Sequence, residues 1–182
     1  MILTTERLIL RPWNESDAES LFEYAKDEDV GPIAGWPVHT SVENSLEIIR
    51  TVLAVPETYA VCLRSNGRAI GSIGLKMGDA TDLTESAEEC ELGYWLGKLF
   101  WGQGIIPEAG RELLRRGFED LGMTKIWCGR YDGNEKSRRV QEKLGFVYQF
   151  TTEGIEVPLV NEIRTGHVSC LAKADWEKEL TK

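Results

Sequence analysis

Histidine is scarce in this chain: only His39 and His167 occur, far apart and without neighbouring cysteines. A histidine-based metal centre is therefore not expected, and no metal is predicted. The cysteines Cys62, Cys90, Cys128 and Cys170 stand singly in apolar, strand-like segments with no C-x-x-C spacing, which predicts buried thiols rather than disulfides or ligands. No apolar run approaches the roughly 20 residues that span a bilayer, and MILTTERL lacks the apolar stretch of a signal peptide. The expectation is a cytoplasmic protein with no membrane partner. Basic residues are in deficit, 21 against 30 acidic ones for a net charge of −9, which argues against a nucleic-acid partner, whose phosphates call for a basic surface. That balance suits a cationic ligand. The six acids between Asp79 and Glu91, with no base among them, could steer an amine or form a solvated loop.

What is present is enough for one domain over residues 1–182, of which 42% are hydrophobic, and a chain of this size buries roughly 70% of its unfolded surface. Residues 7–11 alternate as a strand, and 17–25 carry Ala18, Leu21, Phe22 and Ala25 at helical spacing. Ser41 can cap a helix that buries Val42, Leu46, Ile49 and Leu53, whereas 31–39 is too rich in Gly and Pro to be regular. Segments 59–63 and 69–76 flank Ser65-Asn66-Gly67, a hairpin signal. Further strands are expected at 90–96, 125–131, 146–150 and 162–172, with one helix that begins at Pro107 and ends at Gly122 and another that begins at Asn134 and closes at Gly145. The fold class is α/β with a mixed sheet.

Two segments carry the chemistry. In WGQGIIPEA, 101–109, Gly102 and Gly104 free the backbone, and Pro107 suits a first helical position. A glycine-bearing turn that feeds a helix start aims free N–H groups and the positive dipole end at one point, which suits an anion such as a pyrophosphate; it can equally be an ordinary loop. The dinucleotide fingerprint is excluded because Pro107 stands where its third glycine belongs, and the P-loop because Gly-Lys-Ser/Thr is absent. The second segment, GNEKSRRVQEKLGF at 133–146, places Asn134, Ser137 and Gln141 on one helical face. Asn134 also suits a plain N-cap, and Ser137 a first-turn hydroxyl.

Together with TERLILRPWNESDAESLFEYAKD at 5–27 and ELGYWLGKLFWGQGIIPEA at 91–109, these segments resemble the GNAT superfamily of acetyl-CoA-dependent N-acetyltransferases, in particular the branch of ribosomal-protein N-terminal acetyltransferases. Trp101 and Ile106 depart from the superfamily's loop pattern, which usually has a basic or amide residue and a small one there. The resemblance implies a GNAT-like fold: a central, mostly antiparallel mixed sheet flanked by helices, with two parallel strands splayed at the cofactor site. It implies that the backbone of Tyr94, Trp95 and Leu96 pairs with the pantetheine of acetyl-CoA, and that the loop Gly102, Gln103, Gly104, Ile105, Ile106 and Pro107 holds the pyrophosphate. Pro107 has no N–H to contribute. Asn134 and Ser137 would face the same cofactor, and Arg138, Arg139 and Lys143 would either neutralise its 3′-phosphate or form a solvated face.

Acyl transfer to an amine needs a neutral nucleophile, stabilisation of developing negative charge, and a proton for the departing thiolate. Glu91 is the candidate base, Ser137 and Tyr131 the candidate proton donors, and a backbone N–H near Leu96 the expected oxyanion contact. Trp36 and His39, with Trp13, are candidates for the acceptor mouth, although a lone loop histidine is commonly plain surface. No Ser-His-Asp or Cys-His constellation supports a covalent acyl-enzyme, so direct transfer in a ternary complex is expected. The partner would be a protein N-terminus or a small-molecule amine, and the enzyme a monomer or homodimer. An acyl-CoA-binding sensor without turnover would use the same loop and Asn134.

Overall fold

Strands and helices alternate through the computed structural model, which describes residues 1–181. They gather into two units, one of Met1–Gly74 with Tyr94–Glu112, the other of Leu75–Gly93 with the chain from Leu113 onward.

In the first unit β1 (Leu3–Thr4), β2 (Leu8–Arg11), β3 (Thr58–Leu63) and β4 (Ala69–Lys76) pair antiparallel in that order. The turn between β3 and β4 is the one read from Ser65-Asn66-Gly67, with Gly67 at φ 71°. Alternation in β2 buries Leu8 and Leu10 and leaves Ile9 and Arg11 half-buried. The two-residue β1 carries too little periodicity to be read in advance. Helix α1 (Ala18–Ala25) turns Ala18, Leu21 and Ala25 onto a core with Trp13, Ile49, Ala60, Cys62 and Ala69. Its entry is held by Asp17, whose carboxylate accepts both Arg11 Nη atoms at 2.7 Å and the Asn14 amide at 2.9 Å.

The Gly/Pro-rich stretch is not wholly irregular, because α2 (Gly31–Ala34) makes one helical turn there. Pro32 is tolerated within a first turn, and Gly35 ends it at φ 93°. Helix α3 (Val42–Ile48) starts at Ser41, whose Oγ accepts the Asn44 amide at 3.0 Å, as the N-cap pattern foretold. Strand β5 (Glu89–Leu96) brings its last residues to this unit, so close to β4 that a Cβ at Gly71 would stand 2.5 Å from the Trp95 carbonyl oxygen. Helix α4 (Ile105–Arg115) contributes its first turns.

In the second unit β5 runs parallel to β6 (Lys125–Tyr131), with Glu89, Cys90 and Glu91 opposite Lys125, Ile126 and Trp127. The mixed sheet expected of the fold class is thus formed. Strand β6 continues to Tyr131 against β8 (Glu162–Ala172), antiparallel, and β7 (Val147–Val157) lies on the other side of β8. Strand β7 is longer than the expected 146–150 and starts at Val147. Residues Thr151 to Gly154 are exposed and carry no apolar side chain, so hydrogen bonding to β8, with a register shift between Thr152 and Ile155, carries the strand across them to the half-buried Ile155 and the buried Val157. Helix α5 (Glu135–Lys143) packs on β6. Helix α6 (Lys173–Leu180) has too few apolar residues for a periodic signal, yet it docks through the buried Trp176.

All four cysteines are buried free thiols, and burial pushes the thiols of Cys62 and Cys170 up to about 11. Among the described residues no helix is long and apolar enough to cross a membrane.

Phe118 is fully buried with its ring centroid 5.2 Å from that of Trp176. Phe118→Ala is expected to cost about 3–5 kcal/mol, the usual cost of truncating a core phenylalanine. A urea denaturation midpoint unchanged from the parent would refute this account of how α6 is anchored.

Candidate active site

The residue before helix α4 cannot cap it with a side chain. Gly104, which precedes Ile105, has no side chain to offer, unlike Ser41 at α3 or Asn134 at α5. Gly102 and Gly104 stand at φ 75° and 74°, a region that L side chains adopt only with strain. A Cβ at Gly102 would meet nothing within 4 Å, so backbone conformation rather than crowding requires glycine there. The helix opens at Ile105, two residues earlier than Pro107 suggested, and Pro107 sits third in its first turn. That position tolerates proline for the same reason as the first, since the opening N–H groups of a helix have no carbonyl behind them. Glu108 is where the ladder starts, its N–H donating to the Gly104 carbonyl at 3.1 Å. The amides of Gly104, Ile105 and Ile106 therefore precede the ladder at the positive end of the helix dipole.

The loop is tied down on its other sides. The Trp101 indole donates to the Leu96 carbonyl at 2.8 Å, and the Gln103 side-chain amide to the Leu99 carbonyl at 2.9 Å. Arg7 donates from Nη1 to the Gln103 carbonyl at 3.0 Å and from Nε to Glu108 Oε2 at 2.6 Å. Glu108 Oε1 accepts from the Thr5 hydroxyl at 2.5 Å and the Arg7 amide at 2.8 Å. Burial alone would raise the Glu108 carboxyl, but these bonds from Thr5 and Arg7 hold it below the ordinary carboxylate range. Sequence patterns do not reveal this network; the only signal was an arginine and a threonine within the TERL segment.

In the same unit Trp95 joins the aromatic residues proposed for the acceptor. The Trp36 and Trp95 centroids lie 5.7 Å apart edge to face, and Trp36 and His39 5.5 Å apart. Trp13 stacks on Trp95 at 6.3 Å and is buried in the core, with its indole donating to Ser72 Oγ at 3.1 Å. His39 is not plain surface either. It is buried, with Nδ1 2.8 Å from Ser45 Oγ, and burial lowers its pKa.

The second unit holds the other candidates. Glu91 is committed to neighbours: Oε1 accepts from Lys76 Nζ at 2.9 Å and Oε2 from the Thr81 hydroxyl at 2.7 Å. Glu89, from the same acidic stretch, accepts from the Trp127 indole at 2.6 Å and from Thr84 at 2.8 Å. Burial opposes the charge of Glu89, and these bonds with Lys125 still hold its carboxyl below the ordinary range. Only Asp79, Asp82, Glu85 and Glu88 of that stretch are exposed. Tyr131 ends β6, with the Arg164 guanidinium over its ring at 5.1 Å. Asn134 is an N-cap whose Oδ1 accepts the Ser137 amide at 3.1 Å, which leaves its side-chain NH2 outside the cap. Gln141 reaches both Ser137 Oγ and the Gly129 carbonyl at 3.4 Å, so Asn134, Ser137 and Gln141 form one face as the spacing indicated. Arg138 pairs with Glu135 and Glu142 within α5, which favours a surface role for it over phosphate neutralisation. Among the described residues no group of three His, Cys, Asp or Glu could hold a metal ion.

Residues 7–147 match the family model of the acetyltransferase (GNAT) domain. The chain is 29% identical over 150 residues to "Uncharacterized N-acetyltransferase YoaA" of Bacillus subtilis, covering 80% of this chain and 82% of that one. It is 41% identical over 99 residues to "Putative ribosomal N-acetyltransferase YdaF" of the same organism, covering 54% of this chain and 53% of that one. Among solved structures, a GNAT-family acetyltransferase from Bacillus anthracis superposes with a TM-score of 0.82 at 22% identity, covering 96% of this chain and 99% of that one, a likeness of fold.

His39 yields a test by pH. Its folded pKa is lowered below the ordinary 6.5, so its share of stability is present above about pH 6.5 and is lost as pH falls through the folded value, while the unfolded chain takes up the proton first. Between about pH 7 and about pH 5, parent stability by chemical denaturation should decline more steeply than that of His39→Asn. Parallel curves would mean that the imidazole is not held neutral.

Proposed function

The chain belongs to the GNAT acetyltransferase family, and from that premise we propose that this acetyl-CoA-dependent acetyltransferase moves an acetyl group directly to a primary amine, with a protein N-terminus as the favoured acceptor. The observation that carries the reading is the start of α4 directly behind two positive-φ glycines, within the matched stretch. The whole chain is read as one catalytic domain working in the cytoplasm.

The diphosphate of acetyl-CoA is assigned to the amides of Gly104, Ile105 and Ile106, which favour an anion by their free donors and by the helix dipole. The chain contributes Gly102, Gln103 and Pro107 as the frame of that loop. The strand end Tyr94–Leu96 is assigned to pantetheine through backbone groups, in the manner of an added strand. When bound, the cosubstrate supplies a thioester as the acetyl source. Asn134 and Ser137 are assigned to the same cosubstrate. The Asn134 NH2 is available to donate, and the Ser137 hydroxyl or the Tyr131 phenol would return a proton to the thiolate. Trp36 and His39 are assigned to the acceptor; an aromatic face attracts an ammonium, and a neutral imidazole does not repel it.

Two arguments favour an N-terminal amine. An α-amine with a pKa near 8 is ~10% neutral at pH 7, whereas a lysine near 10.4 is neutral in fewer than about one molecule per thousand, a difference of about 3 kcal/mol. Glu91, held by Lys76 and Thr81, is poorly free to take a proton directly and would act through water, so the less demanding amine fits it better. The relative YdaF is itself named for a ribosomal activity, which points the same way.

Calorimetric titration with acetyl-CoA is the first test. Micromolar binding should weaken by about tenfold or more, ~1.4 kcal/mol, in Asn134→Ala and in Gly104→Val, the latter because a β-branched residue is strained at that φ. Folded protein that binds no acetyl-CoA would remove the reading. With a peptide acceptor and thiol release as the readout, Glu91→Gln should lower kcat/KM by about a hundredfold, at the low end for a general base, and alter the pH profile. An unchanged profile would take Glu91 out of the chemistry.

A further inference from the structure

We propose that Arg7 is a positioning residue for the glycine loop: it fixes the orientation of the peptide between Gln103 and Gly104, and with it the Gly104 N–H assigned to the diphosphate. The inference rests on the reading of the site given above. Arg7 lies 96 residues before Gln103 in the chain, yet its Nη1 donates to the Gln103 carbonyl at 3.0 Å. The same guanidinium is anchored through Nε to Glu108 Oε2 at 2.6 Å, and the Arg7 amide donates to Oε1 of that carboxylate at 2.8 Å. Thr5 adds its hydroxyl to Oε1 at 2.5 Å. Arg7 Nη2 stands 3.7 Å from the place of a Cβ at Gly104.

A trans peptide is planar, with its C=O and N–H pointing to opposite sides. Holding the Gln103 carbonyl on Arg7 therefore turns the Gly104 N–H away from Arg7. The local chain does not enforce this orientation, because a glycine visits either sign of φ with little cost and leaves the preceding peptide free to rotate. A rotated peptide would present a carbonyl oxygen where the loop needs a donor, and an anion would be repelled instead of bound. Residues 101–106 carry no basic side chain, and the charge of Arg7 is balanced by Glu108, so its contribution is orientation more than added positive charge. The anchor also explains why the carboxylate sits where it does. Glu108 belongs to the first turn of α4, where it ties the helix to the β1–β2 turn and holds the guanidinium against the loop at the same time.

A role in orienting one amide toward the diphosphate predicts selectivity between donors. Acetyl-CoA contains the diphosphate and acetyl-pantetheine does not. The affinities of both would be measured on the full chain, acetyl-CoA by direct titration and acetyl-pantetheine by displacement. Arg7→Met should weaken acetyl-CoA about tenfold while acetyl-pantetheine moves less than about twofold. Arg7→Lys keeps the charge opposite Glu108 but loses the planar fork that reaches both acceptors, and should restore only part of the loss. If Arg7→Met does not fold, as its circular dichroism would show, the ratio measured on Arg7→Lys decides. Equal weakening of both donors would mean general damage to the unit and would overturn the proposal, as would undiminished acetyl-CoA binding. Failure of the parent protein to bind acetyl-CoA would instead remove the site reading on which the proposal rests, a result visible before any Arg7 variant is compared.

Discussion

A helix must begin with N–H groups that have no carbonyl behind them, and how each helix of this chain deals with that need sets the character of the site. Ser41 and Asn134 satisfy the need locally, each accepting the amide three residues on. Helix α4 meets it with glycine, which can accept nothing from its side chain, and holds the preceding loop in a conformation that few other residues would adopt. The resulting donors are the chief resource of the proposed site. The strand end before the loop, the tryptophan that ties the loop back to Leu96 and the carboxylate in the first turn of the helix all serve to keep that start in place.

The side chains with the most chemical appeal are largely committed to neighbours. Glu91 has a partner for each oxygen, Glu89 has several donors, and Asn134 spends its carbonyl oxygen on its own helix. Such commitment fits a reaction in which the protein contributes position more than an aggressive base. The proposed acceptor, an N-terminal amine, is already partly neutral near pH 7, so under that proposal holding it against a thioester would account for much of the rate, through proximity and oriented donors rather than a strongly shifted carboxylate. The aromatic group of Trp36, Trp95 and His39 is consistent with that economy, since it offers a cation a face without a competing charge.

Where sequence and structure part company, the cause is in most cases a non-local one. Strand β7 runs past Phe150 because β8 supplies hydrogen bonds across Thr151 to Gly154, which carry no apolar side chain. Helix α6, with few apolar residues, is held by a single tryptophan against Phe118. The turn of helix at Gly31–Ala34 survives its glycine and proline because both stand where a short helix tolerates them. Trp13 is drawn into the core by Ser72, some sixty residues away, and His39 by Ser45 and burial, neither of which a loop-like composition discloses.

The sequence by itself determined what depends on a few consecutive residues: the hairpin at Ser65-Asn66-Gly67, the caps at Ser41 and Asn134, the two positive-φ glycines before α4, the face shared by Asn134, Ser137 and Gln141, and the bounds of β6 and β8. These follow from backbone sterics and side-chain reach within a turn or two, which are properties of the local chain. Only the tertiary structure decided that Arg7 would meet Gln103 and Glu108, that Lys76 and Thr81 would occupy Glu91, and that Trp36 would meet Trp95. Those meetings depend on strand register and on how helices settle on the sheet, and register is set by the sum of many weak contacts rather than by the residues that finally touch.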